Sequence, residues 1–415
     1  MDKMELEEGD PENHAFSFMS ERKDRNKRNC WLTYTNEKTH EIIRENIMRA
    51  PKYAGKIHGI GARYCPSIED KVVRFADKDR HQLFVEPEGL DTTEMYVQGM
   101  STSMPIDVQY AFLRTIPGFE DVKMMRPAYA IEYDLLDPLQ LYPTLEVIKL
   151  PGLYSAGQSN GTSGYEEAAA QGLVAGINAA LKIQGKDPFI LARHEAYIGS
   201  LVDDLVTKGA DEPYRMMTSR SEYRLILRQD NADLRLTEKG HSIGLVGEER
   251  YARFLERKKK YEEAMDYIRT QRFTPKEEIN RALESMGTAP LTTGTGADQI
   301  LKRPEMTYRK MMETLGCPSF DEEAVEEMEI TVKYEGYIAR QEAAVRKAAR
   351  MENEKLPLDM DYLSLDGIST EARQKMDKIR PFSLGQAARI PGVSPADISV
   401  LMVHVKQRKG KKGAE

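Results

Sequence analysis

A polar loop with three glycines precedes an Ala-rich helical pattern in residues 152–182, GLYSAGQSNGTSGYEEAAAQGLVAGINAALK. Gly157, Gly161 and Gly164 permit a tight turn, and a helix predicted from about Tyr165 would direct its free N–H groups toward an anion. The G-x-G-x-x-G signature of a dinucleotide-binding strand–turn–helix unit is absent from the sequence. Judged by spacing alone, a tight turn followed by a packed helix is the commoner alternative to a ligand-binding loop.

A second candidate is Cys65, which lies in a predicted turn within GIGARYCPSIEDKVVRF. If its side chain is partly exposed, Arg63 and Lys71 would favour the thiolate, which is the nucleophilic form of cysteine. A buried, inert thiol is the alternative, since the segment from Gly61 to Phe75 contains no histidine. Cys30, at the start of a predicted strand, and Cys317, between predicted helices, are interpreted as packing residues.

Three arginines spaced by four residues form the third candidate: Arg220, Arg224 and Arg228 in EPYRMMTSRSEYRLILRQDNADLRLTEKG. Ser219-x-x-Glu222 is a capping-box pattern, so it predicts a helix that would place the three guanidinium groups on one face. Such a stripe beside an aromatic residue suits phosphate contacts and base stacking on RNA. A solvent-exposed face paired with nearby carboxylates is the alternative.

The elements that would position these residues differ between the two parts of the chain. CWLTYT, KVVRFA and HQLFVEP are predicted as strands, whereas THEIIRENIMRA, capped by Asn36 or Thr39, and PIDVQYAFLRTI are predicted as helices. The run ending in AIEYD is also strand-like, and TLEVIKLPGLYSAG is predicted to lead strands directly into the glycine loop. After Leu191, long charged segments rich in Ala, Leu and Met predict an all-helical region.

Composition limits the class of protein. The 415 residues include 60 Lys and Arg and 67 Asp and Glu, so the net charge of −7 gives no overall sign of nucleic-acid binding, although the tail VKQRKGKKGAE is basic. Three cysteines without a C-x-x-C pair exclude a zinc ribbon and argue against a disulfide framework, and seven scattered histidines predict no metal site. The absence of a long apolar run or an apolar leader predicts a cytoplasmic protein without a membrane span.

Six segments, in this order and at these separations, resemble the GidA/MnmG family, the FAD-dependent tRNA uridine 5-carboxymethylaminomethyl modification enzymes. They are CWLTYTNEKTHEIIRENI, GARYCPSIEDKVVRFADKDRHQLFVEPEG, MRPAYAIEYD, GLYSAGQSNGTSGYEEAAAQGLVAGINAA, EPYRMMTSRSEYRLILRQDNADLRLTEKG and VKYEGYIARQ. The resemblance extends from about residue 14 to the basic tail. It implies an enzyme that adds a carboxymethylaminomethyl or aminomethyl group to the 5-position of the wobble uridine of tRNA.

The resemblance also implies a domain order. An α/β portion, comprising an incomplete Rossmann-like FAD domain and an inserted NAD-associated domain, would precede an all-α C-terminal domain. The expected bounds are a polar lead-in at 1–28, the C-terminal part of the inserted domain at 29–92, the C-terminal half of the FAD-binding domain at 93–190, and a helical domain for tRNA and a GTPase at 191–415, with its basic tail at 406–415. Family members begin with a strand–G-x-G-x-x-G–helix unit, so this chain is expected to lack the N-terminal part of the FAD domain.

Site residues follow from the resemblance at matching positions. Gln158 is implied to contact the flavin, with Gly157, Asn160, Gly161 and Gly164 as its neighbours in the loop, and Cys65 is implied to be catalytic. The segment associated with NAD comprises Gly61, Ala62, Arg63, Tyr64, Cys65, Pro66, Ser67, Ile68, Glu69, Asp70, Lys71, Val72, Val73, Arg74 and Phe75. The arginines of the stripe are our candidates for tRNA binding.

The implied cofactors are FAD and NAD(H), with methylene-tetrahydrofolate as the one-carbon donor and glycine or ammonium as the amine. The implied partners are tRNA and a GTPase of the MnmE type, in a heterotetramer built on a homodimer, away from membranes. One alternative is the folate- and FAD-dependent tRNA uridine-5-methyltransferase, whose family lacks a long C-terminal helical domain of this type. A second alternative is a non-catalytic remnant that binds tRNA or the GTPase.

Overall fold

The computed structural model describes residues 1–9, 15–20, 28–57, 66–210, 212–357 and 359–412. The chain divides into two compact units. The first comprises residues 1–184 and 209–215, and the second comprises residues 185–208 and 216–415.

The first unit contains an antiparallel four-stranded sheet with the spatial order β1-β2-β3-β4. Leu32 of β2 pairs with Glu5 of β1 on one side and with Phe84 of β3 on the other. Helices α1–α3 pack on this sheet, and buried side chains such as Ile43, Val85 and Phe112 form its core. The bounds are β1 Glu5–Glu7, β2 Cys30–Tyr34, α1 Glu37–Glu45, α2 Ile68–Arg74, β3 Gln82–Pro87, β4 Met95–Gln98, α3 Ile106–Leu113 and α4 Tyr165–Ile183, with short 3-10 helices at Ile47–Arg49, Pro138–Gln140 and Gly157–Asn160.

Most local predictions for this unit are confirmed. Strands β2 and β3 and helices α1 and α3 form where the sequence predicts them, and Asn36 caps α1 in a capping box with Thr39. The prediction of a strand at KVVRFA is wrong, because residues 68–74 form helix α2. The Ser67 side chain accepts a hydrogen bond from the backbone N–H of Asp70, which stabilises the start of a helix.

The segment that leads to the glycine loop forms no sheet in the described residues. The predicted strands at AIEYD and TLEVIKLPGLYSAG are wrong for these residues: the structure gives isolated bridges between Leu141 and Val147 and between Glu146 and Tyr154. A strand requires a ladder of hydrogen bonds with a neighbouring backbone, whereas here the Leu136 N–H donates to the Ser159 carbonyl at 2.7 Å outside any strand.

The second unit is almost entirely helical. Helix α7 packs against α6 and α11. A core around Ile268, Tyr308 and Met328 is formed by residues of α7–α11 and the segments that connect them. A separate core surrounds Tyr362, Met376 and Leu401. The bounds are α5 Tyr197–Lys208, α6 Ala232–Ser242, α7 Glu248–Thr270, β5 Arg272–Phe273, α8 Glu277–Ser285, β6 Thr295–Gly296, α9 Ala297–Leu301, α10 Tyr308–Leu315, α11 Glu322–Asn353, α12 Thr370–Ile379, α13 Leu384–Arg389 and α14 Pro395–Lys412, with 3-10 helices at Thr218–Arg220 and Tyr362–Ser364.

The predicted fold class, an α/β portion followed by a helical domain, is therefore confirmed. In the described residues, no helix is both long enough and apolar enough to cross a membrane.

Candidate functional site

The glycine loop forms a single 3-10 turn that leads into α4. Gly161 ends this turn with φ of 80°, a left-handed conformation that favours glycine. An ideal Cβ at Gly161 would lie 2.8 Å from the Cβ of Ala210, so both the backbone angle and the available space require glycine here. The predicted turn followed by a helix is confirmed.

Buried amide groups hold this loop from inside. Asn160, which is fully buried, donates from Nδ2 to the Ser155 carbonyl at 2.9 Å and to Oε1 of Gln171 at 2.8 Å. Gln171 in turn donates from Nε2 to Oγ1 of Thr162 at 3.0 Å, and Thr162 donates to the Gly157 carbonyl at 2.9 Å. Asn160, predicted as a neighbour of the flavin contact, thus uses its side chain to close the loop. Gln171 and Thr162 were not singled out from the sequence, although both lie within the glycine-rich segment.

Gln158 is exposed. The N-terminus of α4 is covered by its own side chain, because Glu167 folds back until an ideal Cβ at Gly164 would overlap its carboxylate, and Nε of Arg215 lies 3.6 Å from Glu167. A diphosphate at this helix end would therefore meet a carboxylate. The start of α4 therefore does not fit the anion that the sequence pattern predicts at the helix N-terminus, because a carboxylate already lies there.

The segment associated with NAD is described in part. Gly61, Ala62, Arg63, Tyr64 and Cys65 lie outside the described residues. Pro66 and Ser67 lead into α2, whose residues Ile68 and Val72 are buried in the sheet core, while Val73, Arg74 and Phe75 are exposed. Lys71 donates from Nζ to the Gly99 carbonyl at 3.3 Å.

Two buried carboxylates fix the start of α2 in place. Glu69 accepts hydrogen bonds at Oε1 from the backbone N–H of Ser103 at 2.9 Å and from its hydroxyl at 2.8 Å. Asp70 accepts from Nζ of Lys52 at 2.7 Å and from the Tyr53 hydroxyl at 3.0 Å. Burial and the hydrogen bond to Asp70 raise the pKa of Tyr53 to about 12, so this phenol stays protonated as a donor. Both carboxylates thus hold α2 in place through their hydrogen bonds.

The arginine stripe does not form a helical face. Residues 218–220 make a short 3-10 turn, residues 221–231 are irregular, and α6 begins at Ala232. The predicted capping box fails because Glu222 instead pairs with Arg193, at 2.9 Å from Nη2. Arg228 is half-buried and pairs with Asp230 at 2.9 Å and Glu327 at 2.6 Å, whereas Arg224 is exposed. The structure therefore does not bring Arg220, Arg224 and Arg228 together on one face.

Arg193, rather than the predicted arginine stripe, is the centre of a buried cluster of ion pairs. Arg193 is 7% exposed and pairs through Nη1 with Asp203 at 3.1 Å and Asp204 at 2.7 Å, in addition to Glu222. Arg389 also binds Asp203, at 2.7 Å from Nε. The sequence gives no signal for Arg193, because its partners do not lie three or four residues away on one helix.

The two described cysteines have the environments of packing residues. Burial raises the pKa of the Cys317 thiol, although a hydrogen bond to Tyr267 acts in the opposite direction. Burial raises the pKa of Cys30 as well, together with the charges of Glu86 and Glu7. Both thiols are thus kept in the unreactive protonated form. Across the described ranges, no group of three or more histidine, cysteine or acidic residues could hold a metal ion.

Three protein-family models match the chain. Residues 1–187 match "Glucose inhibited division protein A", residues 248–342 match "tRNA modifying enzyme MnmG/GidA C-terminal helical domain", and residues 344–415 match "tRNA modifying enzyme MnmG/GidA C-terminal helical bundle".

Relatives with curated names are similar over almost the whole chain. The tRNA uridine 5-carboxymethylaminomethyl modification enzyme MnmG of Caldicellulosiruptor saccharolyticus is 55% identical over 408 residues, and that of Enterococcus faecalis is 55% identical over 409. Each alignment covers 98% of this chain and 65% of the relative. The GidA structure of Aquifex aeolicus in its form II crystal matches with a TM-score of 0.84 and 45% identity, over 97% of this chain and 64% of that one. The chain thus spans 65% of the length of these two curated relatives.

Proposed function

Because the chain belongs to the GidA/MnmG family, we propose that it acts in an FAD- and NADH-dependent enzyme that modifies the wobble uridine of tRNA. The reaction adds a carboxymethylaminomethyl or aminomethyl group at the 5-position. The 55% identity to named MnmG enzymes across 98% of the chain is the observation that carries this proposal.

The glycine loop is proposed as the part of the chain that meets the flavin. Gln158 is exposed and would contact an uncharged edge of the ring, while Gly157, Asn160, Gly161 and Gly164 would hold the loop in shape. FAD, when bound, supplies the redox chemistry with electrons from NADH, and methylene-tetrahydrofolate supplies the one-carbon unit. The residues from Gly61 to Phe75 are proposed to contact NAD, with the buried Glu69 and Asp70 serving to hold α2 rather than to touch the cofactor.

Cys65 is proposed as a catalytic cysteine. Carbon 5 of uracil is unreactive until a nucleophile adds at carbon 6, which gives the ring enolate character, and a thiolate is suited to this addition. The pKa values of the Cys30 and Cys317 thiols are raised, so neither of these two is a good candidate for the nucleophile.

The proposed partners are tRNA and a GTPase of the MnmE type, in a heterotetramer built on a homodimer in the cytoplasm. Of the candidate tRNA contacts, Arg220 and Arg224 are retained, and Arg228 is assigned to its ion pairs with Asp230 and Glu327. The family model over residues 344–415, which is described as an MnmG/GidA helical bundle, favours this function over the uridine-5-methyltransferase alternative.

The test supplies unmodified tRNA, FAD, NADH, methylene-tetrahydrofolate, glycine or ammonium and the GTPase, and detects modified uridine by mass spectrometry of nucleosides. The chain is assayed alone and together with a polypeptide for the part of the Enterococcus faecalis relative that it does not match. We expect product in the combined sample. We expect weak flavin binding by the chain alone, because its sequence contains no G-x-G-x-x-G unit.

Three variants assign the roles of residues. Gln158→Ala and Gly161→Val are each expected to lower the flavin absorbance of the combined sample, and Cys65→Ser is expected to abolish product while leaving flavin bound. Normal product with Cys65→Ser would remove that residue from the chemistry, and full flavin occupancy with Gly161→Val would show that the loop does not hold the cofactor. Absence of modified uridine in the combined sample would overturn the proposed function.

A further inference from the structure

Helix α11 leaves an exposed stretch between two cores. The buried apolar residues up to Val332 belong to the core around Tyr308, and the next ones, from Leu356, belong to the core around Tyr362. Among the described residues between these two, no apolar side chain is buried. The middle of this 32-residue helix is therefore held at both ends and open to solvent along most of its surface.

Two tyrosines occupy this exposed stretch. Tyr334 is 47% exposed and Tyr337 is 55% exposed, and their ring centroids are 6.4 Å apart. The guanidinium of Arg340 lies 5.0 Å from the centroid of the Tyr337 ring. Packing does not require large aromatic rings at these positions, and an aromatic pair with an arginine is the arrangement on which nucleic-acid bases stack.

The charge of the helix changes sign at the same place. Residues 322–335 carry six glutamates and one lysine, whereas residues 340–350 carry four basic side chains and one acidic one. That acidic residue, Glu342, lies 3.7 Å from Arg346. Within the described part of the chain, Arg340 has no carboxylate within 4 Å. The exposed stretch is thus complementary to a polyanion at its basic end.

A glycine exposes the helix backbone beside the tyrosines. An ideal Cβ at Gly336 would meet no atom within 4 Å, so neighbouring side chains do not require glycine. In a helix interior, glycine costs ~1 kcal/mol relative to alanine. The Gly336 carbonyl accepts a hydrogen bond from Nε of Arg340 at 3.3 Å, and the missing side chain beside two exposed rings permits the close approach of a ligand.

Gln341 attaches the arginine segment to this face. Its Nε2 donates to the Glu222 carbonyl at 3.2 Å, and its Oε1 accepts from the backbone N–H of Leu225 at 3.2 Å. Gln341 follows Tyr337 by four residues, so the two lie on the same face about 6 Å apart along the axis. The exposed Arg224, which has no carboxylate within 4 Å in the described ranges, therefore lies near the basic end of the tyrosine pair.

We propose that Tyr334, Tyr337, Arg340 and Arg224 form a platform for single-stranded RNA. Unpaired bases would stack on the two rings, and the arginines would contact the flanking phosphates. The choice of RNA rests on the proposed tRNA substrate. The residues around the rings favour RNA over a protein partner. Gly336, Ala339 and Ala343 are small, whereas the core of a protein–protein interface requires a larger apolar area.

The experiment measures fluorescence anisotropy of a labelled single-stranded RNA, with the sequence of the anticodon loop, titrated with the full chain over a range of salt concentrations. Tyr334→Ala with Tyr337→Ala is expected to weaken binding about tenfold or more without changing the salt slope. The double Phe variant retains both ring faces and is expected to bind within about twofold of the wild type. Arg340→Ala is expected to lower the salt slope by about 0.7.

Matched controls separate stacking from loss of structure. Tyr96, on β4, is 50% exposed and is replaced by alanine as the aromatic control, and Arg309→Ala is the charge control in the second unit. Both are expected to bind the RNA like the wild type. Gly336→Ala is expected to raise thermal stability and weaken RNA binding, a combination that a purely structural role would not produce.

Unchanged RNA affinity of the double Ala variant would overturn the platform, and so would equal weakening by the double Ala and double Phe variants. If RNA binding is unchanged but binding of the GTPase falls, the surface is a protein-docking site and the RNA proposal is wrong. Modified uridine is measured separately. If product forms normally but the double Ala variant binds RNA like the wild type, the platform alone is rejected. If the double Ala variant weakens RNA binding but no product forms in the combined sample, the proposed enzyme function alone is rejected.

Discussion

The glycine loop of residues 157–164 and the arginine segment of residues 220–228 both carry polar residues in a pattern that suggests a site, but they find their partners at different distances along the chain. Asn160 bonds to Ser155 and Gln171, five and eleven residues away. Arg228 bonds to Glu327, and Glu222 bonds to Arg193. A pattern whose partners are local folds as the local sequence predicts, whereas a charged pattern takes whichever opposite charges the tertiary fold supplies.

The largest effect is expected from breaking the long-range cluster. Arg193→Met removes the guanidinium that pairs with the buried Asp204 and releases Glu222, so the free energy of unfolding should fall by ~3–5 kcal/mol. Urea unfolding measures this, with Arg309→Met, at an exposed i,i+4 pair, as the matched control that should change it by less than ~0.5 kcal/mol. A loss below ~1 kcal/mol would mean that the cluster contributes little to stability.

The local loop is tested by Gly161→Val. The left-handed backbone angle and the contact with Ala210 should together cost ~2 kcal/mol or more. The control is Gly172→Ala in α4, where an added Cβ meets no atom within 4 Å and should stabilise the helix by up to ~1 kcal/mol. The melting temperatures of the two variants should move in opposite directions, and a shared direction would contradict the steric explanation.

The ion pairs of the arginine segment predict a pH dependence. Burial and the neighbouring Asp230 raise the pKa of Glu327 above its ordinary value of 4.5, although Arg228 acts in the opposite direction. A carboxyl whose pKa is higher in the folded chain binds more protons when folded, so its contribution to stability is complete below pH 4.5 and is lost as the pH rises through the folded pKa. The pKa of Asp230 is lowered, because its hydrogen bonds to Glu327 and Arg228 outweigh burial, so its own contribution is lost only in acid.

Glu327→Gln should therefore flatten the fall in unfolding free energy between about pH 5 and pH 8, by about 1.4 kcal/mol for each unit of pKa difference. Urea unfolding at several pH values measures this. Glu326→Gln, at an exposed position on the same helix, is the control and should follow the wild type. If the unfolding free energy of Glu327→Gln falls as steeply with pH as that of the wild type, the proton bound in the folded chain is on another group.

The smallest effect on stability is expected from Arg224→Ala, which should change the free energy of unfolding by less than ~0.5 kcal/mol because the side chain is exposed. Its effect should appear in the salt slope of tRNA binding, which should fall by about one. Arg228→Ala should do the reverse, destabilising the fold while leaving the slope unchanged, because both of its carboxylate partners are internal. Equal slopes for Arg224→Ala and the wild type would remove Arg224 from the RNA contacts.

Sequence patterns predicted some elements of the first unit well and others poorly. Strand β2 and helix α1 form where alternation and the Asn36 cap predict them, because their signals are contained within a few residues. KVVRFA alternates like a strand, yet Ser67 and the acidic first turn begin a helix that buries Ile68 and Val72. The strand-like run ending in AIEYD joins no sheet in the described part of the chain, and a strand depends on pairing with a neighbouring backbone.

The sequence by itself determined the glycine turn at Gly161, the start of α4, the helical character after Leu191 and, through the resemblance, the family. Each of these depends on backbone freedom, capping or periodicity, which act over one or two turns of chain. Tertiary structure alone decided that Arg228 faces Glu327, that Glu167 covers the start of α4, and that Gln341 bonds to the backbone of Leu225. These outcomes depend on which charges and surfaces meet after folding, because an ion pair or an exposed face is set by distance in space rather than by separation in sequence.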